Sequence, residues 1–199
     1  MLSPDQYLAI ALFVFALSAT PGPNNVMLTA AGANFGLRRT VPHLLGVSTG
    51  LGALITLVAM GLGSLLTRYP AMHVALQIAG SVYLLYLAWR IATADNAATG
   101  AKVHAPIRFV EAFGFQFANP KVWIMGISAV GLFTEPGERY ALSAATVVVV
   151  AMAVNLPSVS LWACFGTVIG RFLHEPTIRR RFNYVMGAMT AACVALVVL

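Results

Sequence analysis

The residues best suited to chemistry fall where an apolar chain ought to be uninterrupted. In "ALSATPGPNNVML", residues 16–28, Thr20, Pro21, Gly22 and Pro23 are followed by two amides, Asn24 and Asn25. In "FANPKVW", residues 117–123, Asn119 and Pro120 are followed by Lys121. Proline within a helix removes a donor and clashes with a preceding carbonyl, costing about 3 kcal/mol or more. In lipid, the freed backbone groups need partners or a polar cavity. A half-helix starting near Pro21 aims unpaired N–H groups and the positive end of its dipole at the break, and such ends bind carboxylates. The asparagines add amide donors and acceptors, and Lys121 adds a full positive charge. A lysine at the bilayer centre costs about 2.5–3.5 kcal/mol on insertion scales. It handles substrate or ions there, or else it satisfies the carbonyls exposed by the break.

Such a pocket suits a small zwitterion, with its carboxylate at the positive end and its ammonium on freed carbonyls. Asn155, beside Pro157 in "AVNLPSV", is expected to line the same cavity. No acidic residue lies deep in an uncharged stretch, so strongly cationic substrates are poorly served. His43 and Glu111, near stretch ends, are the obvious proton acceptors, with a structural role as the alternative for each.

The elements that position these residues follow from composition. Charged residues make up 9% of the chain and hydrophobic ones 59%, with a mean hydropathy of +0.83, against about 25% charged in soluble proteins. Uncharged stretches cover 6–37, 40–67, 69–89, 140–170 and 182–199, and 112–134 is interrupted only by Lys121. Crossing a hydrocarbon core of about 30 Å takes roughly 20 apolar residues. The expectation is an all-α membrane protein, one transmembrane domain over 1–199, with six transmembrane helices of which the first and fourth are broken at mid-membrane. "YLAIALFVFALSA" near the N-terminus resembles a signal core, but no Lys or Arg precedes it and Asp5 does, which argues against a cleaved signal.

The charges that remain are sorted by side. Arg38, Arg39, Arg90, Lys102, Arg108, Arg171, Arg179, Arg180 and Arg181 share one side; Arg68 and Arg139 lie on the other. Cytoplasmic loops collect Lys and Arg, so both termini are predicted outside. The net charge of +6 then reflects topology and not nucleic-acid binding.

The polar stretch 92–108 reads as a cytoplasmic linker between halves of about 1–95 and 105–199. Three spans in each half force the second to insert upside down. Thr20-Pro21 is matched by Asn119-Pro120, 99 residues later, and interrupted segments at corresponding positions of two halves point to a transporter's binding site. "GANFG" (32–36), "GVSTG" (46–50) and "GTVIG" (166–170) allow close helix approach, read as packing within the chain, with homodimerisation the other use. Cys164 and Cys193 form neither a disulfide framework nor a metal spacing and read as small packing residues. No cofactor is expected. An enzyme would need paired carboxylates, a metal cluster or a nucleophile with its base, and none of these patterns occurs. A six-span carrier of thiol electrons would want cysteines beside the prolines, where Thr20, Gly22, Asn119 and Lys121 stand. A passive pore for small zwitterions is the competing reading.

"TPGPNN", "RRT", "GVSTG" and "FANPK" together resemble the LysE/RhtB family of amino-acid exporters over essentially the whole chain. "AGSVYLLYLAWRIATA", 79–94, is similar to the branch that exports cysteine and O-acetylserine. The resemblance implies a secondary exporter of the bacterial inner membrane, driven by the proton gradient. It places the family's first motif on Pro21, Gly22, Pro23 and Asn24 and its second on Asn119, Pro120 and Lys121. Family members that export basic amino acids carry acidic residues in the membrane; their lack here favours small neutral substrates.

Overall fold

A computed structural model describes residues 3–63, 68–94 and 105–195, apart from the side chains of residues 70 and 73. The described elements are helices α1 (Pro4–Ala19), α2 (Pro23–Ala59), α3 (Pro70–Ala92), α4 (Phe109–Ala118) and α5 (Pro120–Phe133), a 3₁₀ turn (Gly137–Arg139), and helices α6 (Tyr140–Gly170) and α7 (Pro176–Ala192). Five of these helices start with proline, whose fixed φ suits the first turn and whose missing N–H would be unpaired there anyway. Residues 95–104 of the expected linker lie outside the described residues.

Helix boundaries follow the uncharged stretches with three differences. The end of the first stretch and most of the second become one element, α2, with a corner at Gly36 (φ 76°, ψ 165°). Only glycine adopts that conformation freely, so a single residue turns the chain where a loop around Arg38 and Arg39 was expected. The last helix starts at Pro176, ahead of the 182–199 stretch, and takes Arg179, Arg180 and Arg181 into its first turns. The region 112–134 is two helices, α4 and α5, meeting at Asn119.

Pro23–Ala59, Val74–Ala92 and Gly137–Gly170 are long and apolar enough to cross a membrane, and Pro4–Ala19 and Pro120–Phe133 are shorter apolar helices. The outer surface agrees. Val74, Ile78, Val82, Leu85 and Trp89 recur at helical spacing along α3 and are all exposed, as are Leu8, Leu12 and Phe15 on α1. An apolar surface of this extent marks contact with lipid or another apolar partner. Polar side chains within the helices bond back to their own backbone, as in Thr56 to Gly52 O (2.8 Å) and Thr167 to Ala163 O (2.9 Å), which leaves few hydroxyls facing lipid unpaired.

Helix α2 is the centre of the molecule and packs most extensively on α6, then on α4. Close approach makes this possible: a Cβ on Gly32 would collide with the Ala163 carbonyl, and one on Gly166 with the Thr29 carbonyl. Gly46 and Gly50 likewise lie too close to α4 for a Cβ, against the Phe109 carbonyl and against Gln116 and the Phe113 carbonyl. The GxxxG glycines at 32, 46, 50, 166 and 170 thus pack within the chain, while Gly36 makes the corner. Cys193 packs against the core, but Cys164 is exposed and fills no gap.

Two apolar clusters form the core. One gathers residues such as Met27, Leu28, Leu87, Phe115 and Val159; the other gathers Ile10, Val14, Leu54, Met125 and Val147. Members of both clusters, Val159 of the first and Leu51, Val122 and Met125 of the second, line one pocket.

Candidate functional site

The first break runs from Thr20 to Gly22. Pro21 forces the residue before it out of the helical region, and Thr20 accordingly adopts φ −68°, ψ 141° and ends α1. Gly22 is extended, and helix geometry resumes at Pro23. The half-helix therefore starts at Pro23 and not at Pro21, and Thr20 closes a helix instead of opening one: its hydroxyl donates to Leu17 O at 3.0 Å. Gly22 supplies no side-chain cap, so the first turn of α2 presents backbone donors without a side-chain acceptor.

The second break is one residue long. Asn119 (φ −97°, ψ 109°) ends α4 and caps α5, its Oδ1 accepting from Lys121 N at 3.1 Å. Pro120 follows at the first helical position.

Side chains from both halves of the chain converge on the first break. Asn25, buried, donates to Ser18 O (2.9 Å) and Thr20 O (2.8 Å). The Lys121 ammonium donates to Thr20 O and Thr20 Oγ1, both at 2.8 Å, and to Pro21 O at 3.4 Å. An ammonium has three donors, and all three are engaged. Of its two sequence readings, satisfaction of exposed carbonyls is the one this geometry displays, and the carbonyls are those of the other break. Asn24 and Gln116 form a reciprocal amide pair: Asn24 Nδ2 donates to Gln116 Oε1 (2.7 Å), and Gln116 Nε2 donates to Asn24 Oδ1 (3.3 Å) and Ala112 O (2.7 Å).

These groups enclose a pocket of about 390 Å³, open space at its mouth included, between α1, α2, α4, α5 and α6. Gly22, Pro23, Asn24, Asn25, Asn119, Lys121 and Asn155 line it; Thr20, Pro21 and Pro120 do not. Leu51, Val122, Met125 and Val159 supply its apolar wall. Asn155 is 4% exposed and comes from α6, which continues unbroken through Pro157. Its Nδ2 donates to Ser18 Oγ at 2.9 Å, while its Oδ1 is buried and has no partner among the described residues. A buried acceptor left unsatisfied costs about 1–3 kcal/mol.

The sequence reading missed Gln116 and Ser18. Gln116 was legible in principle, as an amide inside an apolar stretch three residues before Asn119. Ser18 carried no signal, because serine is common in membrane helices and its role depends on Asn155.

Of the two proton-accepting candidates, Glu111 is held in place. Its Oε1 pairs with Arg90 Nη1, and its Oε2 accepts from Arg108 N at 2.7 Å. His43 is fully buried and neither ring nitrogen has a partner among the described residues. A second pocket, of about 360 Å³ with open space included, follows the later turns of the same half-helix, among Met27, Ala31, Asn34, Leu87 and Arg90.

Among known families, the model described as LysE type translocator matches residues 15–199. A cysteine/O-acetylserine efflux protein of Klebsiella pneumoniae is 28% identical over 197 residues, covering 99% of each chain. The protein of that name in Escherichia coli (strain K12) is 30% identical over 195 residues, 96% of this chain and 97% of its own. The one in Shigella sonnei matches to the same extent. No solved structure matches.

Proposed function

The chain belongs to the LysE type translocator family, and from that premise we propose that it exports small neutral amino acids or their close derivatives across the bacterial inner membrane. The observation that carries the reading is the pocket at the first break. It combines an uncapped helix start, four asparagine side chains and a lysine, without a carboxylate among its lining residues. Donors at the helix start suit a substrate carboxylate. The lack of an acidic group disfavours a second positive charge on the substrate. The relatives named for cysteine and O-acetylserine efflux support the same class, since both compounds are small and carry no net side-chain charge.

The two halves, about 1–95 and 105–199, act in this reading as inverted three-span units with both termini outside the cytoplasm. They rock about the pocket to expose it alternately to each side. Coupling in this reading is to the proton gradient.

Purified protein in liposomes preloaded with labelled neutral, acidic and basic amino acids tests this directly. The expected result is efflux of a few neutral ones, accelerated by an imposed pH gradient and able to run against a concentration difference. Flux that only ever runs downhill would make the pocket part of a passive pore. Efflux of lysine or arginine in preference to neutral substrates would overturn the substrate class.

A further inference from the structure

The sequence suggests that a substrate ammonium would rest on the carbonyls freed by the first break. The structure has four of those carbonyls holding a donor. Leu17 O accepts from the Thr20 hydroxyl, Ser18 O from Asn25, Thr20 O from both Asn25 and Lys121, and Pro21 O from Lys121. Asn119 Oδ1 is engaged by Lys121 N, and Asn24 and Gln116 engage each other. Among the buried side-chain polar atoms of the residues lining this pocket, Asn155 Oδ1 is the one without a partner.

Asn155 Nδ2 donates to Ser18 Oγ, and Oδ1 is the end of the amide without a partner among the described residues. Ser18 also joins the two sides of the pocket, because its carbonyl accepts from Asn25 in the first turn of α2. The Asn155 amide on α6 and the first turn of α2 are therefore both tied to Ser18, and an α-amino acid carries its ammonium and carboxylate on neighbouring atoms. Buried polar groups without partners are rare in native proteins and ask for an explanation. A donor that arrives with the substrate supplies one.

We propose that Asn155 is a specificity-determining residue whose Oδ1 receives the substrate's free α-ammonium, while the first turn of α2 receives its carboxylate. The inference rests on the amino-acid export reading and sharpens it: the pocket selects for an unblocked amine. A site built to pair with a donor rejects an analogue lacking that donor far more strongly than it rejects a change in apolar size.

Two isomers isolate this property. O-acetylserine and N-acetylserine share every atom and differ in whether the acetyl group blocks the amine. Wild-type protein in liposomes, held at mildly acidic pH so that the acetyl group stays on oxygen, should move O-acetylserine at least tenfold faster than N-acetylserine. Asn155→Leu, which keeps the bulk and removes the acceptor, should slow O-acetylserine at least tenfold and bring the ratio of the two rates close to one. Asn155→Asp keeps an oxygen acceptor and should restore the preference for the free amine. Should Asn155→Leu fail to fold, Asn155→Ser, which draws the oxygen back from the pocket, carries the same expectation. An isomer ratio unchanged in these variants, whatever the absolute rates, would overturn the role of Asn155 while leaving amino-acid export standing. Wild-type protein that moves neither isomer nor any neutral amino acid would overturn the export reading and this inference with it.

Discussion

The two breaks look alike in sequence and differ in physical character. The second is a single residue, and Asn119 both ends one helix and caps the next, so its backbone is largely satisfied from within. The first spans Thr20 to Gly22, has no side-chain cap on the helix that follows, and takes its partners from elsewhere: Asn25 on α2 and Lys121 on α5. One break is a self-contained joint; the other is a polar opening that distant residues hold in shape. A pair of matched motifs therefore need not divide a function equally. Here the second motif contributes its lysine to the upkeep of the first.

Substitutions at the ties should show this asymmetry. Lys121→Ala removes three charged hydrogen bonds from the first break, and hydrogen bonds to charged groups are worth about 1.5–3 kcal/mol each at most. The expected result is a loss of efflux of tenfold or more with a clear drop in the unfolding midpoint of the detergent-solubilised protein. Asn25→Ala strips one donor from each of two carbonyls at a buried position. It should lower stability by about 2 kcal/mol, read in the same unfolding assay, and slow efflux as well. Asn119→Ala removes one cap and should cost about 1 kcal/mol, with Asn119→Ser largely restoring it. If Asn119→Ala impairs efflux more than Asn25→Ala does, the second break is the more functional and the comparison is inverted. An effect of similar size belongs to the Asn24–Gln116 pair. A double-mutant cycle to alanine should give a coupling of about 0.5–1.5 kcal/mol, and additivity would mean that the two amides do not support each other.

Much of this organisation is legible in the sequence because proline constrains its neighbours locally. Pro21 and Pro120 place the breaks to within two residues, and the uncharged stretches anticipate α3 and α6 closely. The start of α2 was misplaced because two prolines compete at 21 and 23, and the choice between them depends on the extended Gly22, which sequence does not reveal. The corner at Gly36 was hidden for a similar reason: the arginines that follow it suggest a loop, while the backbone needs only one glycine. Lys121 is the clearest limit. Its depth in an apolar stretch marks it as exceptional, but its partners at Thr20 and Pro21 are remote in the chain, and no local pattern encodes them. Gln116 and Ser18 acquire their roles in the same way, from neighbours brought together only by packing.

The ties of the first break also have an order in time. Asn25 lies five residues from Thr20 and seven from Ser18, so it can reach both carbonyls as soon as the first break has formed. Lys121 follows Thr20 by 101 residues, which at about 5–20 residues per second of synthesis is roughly 5–20 s later. Through that interval the nascent first half sits at the membrane with Asn25 as the local tie of its interrupted backbone. The lysine, Gln116 and Asn155 then arrive with the second half and close the opening from outside. The first break thus takes its nearest tie from five residues away and its charged one from 101 residues away, so its sealing is completed only once Lys121 has been made.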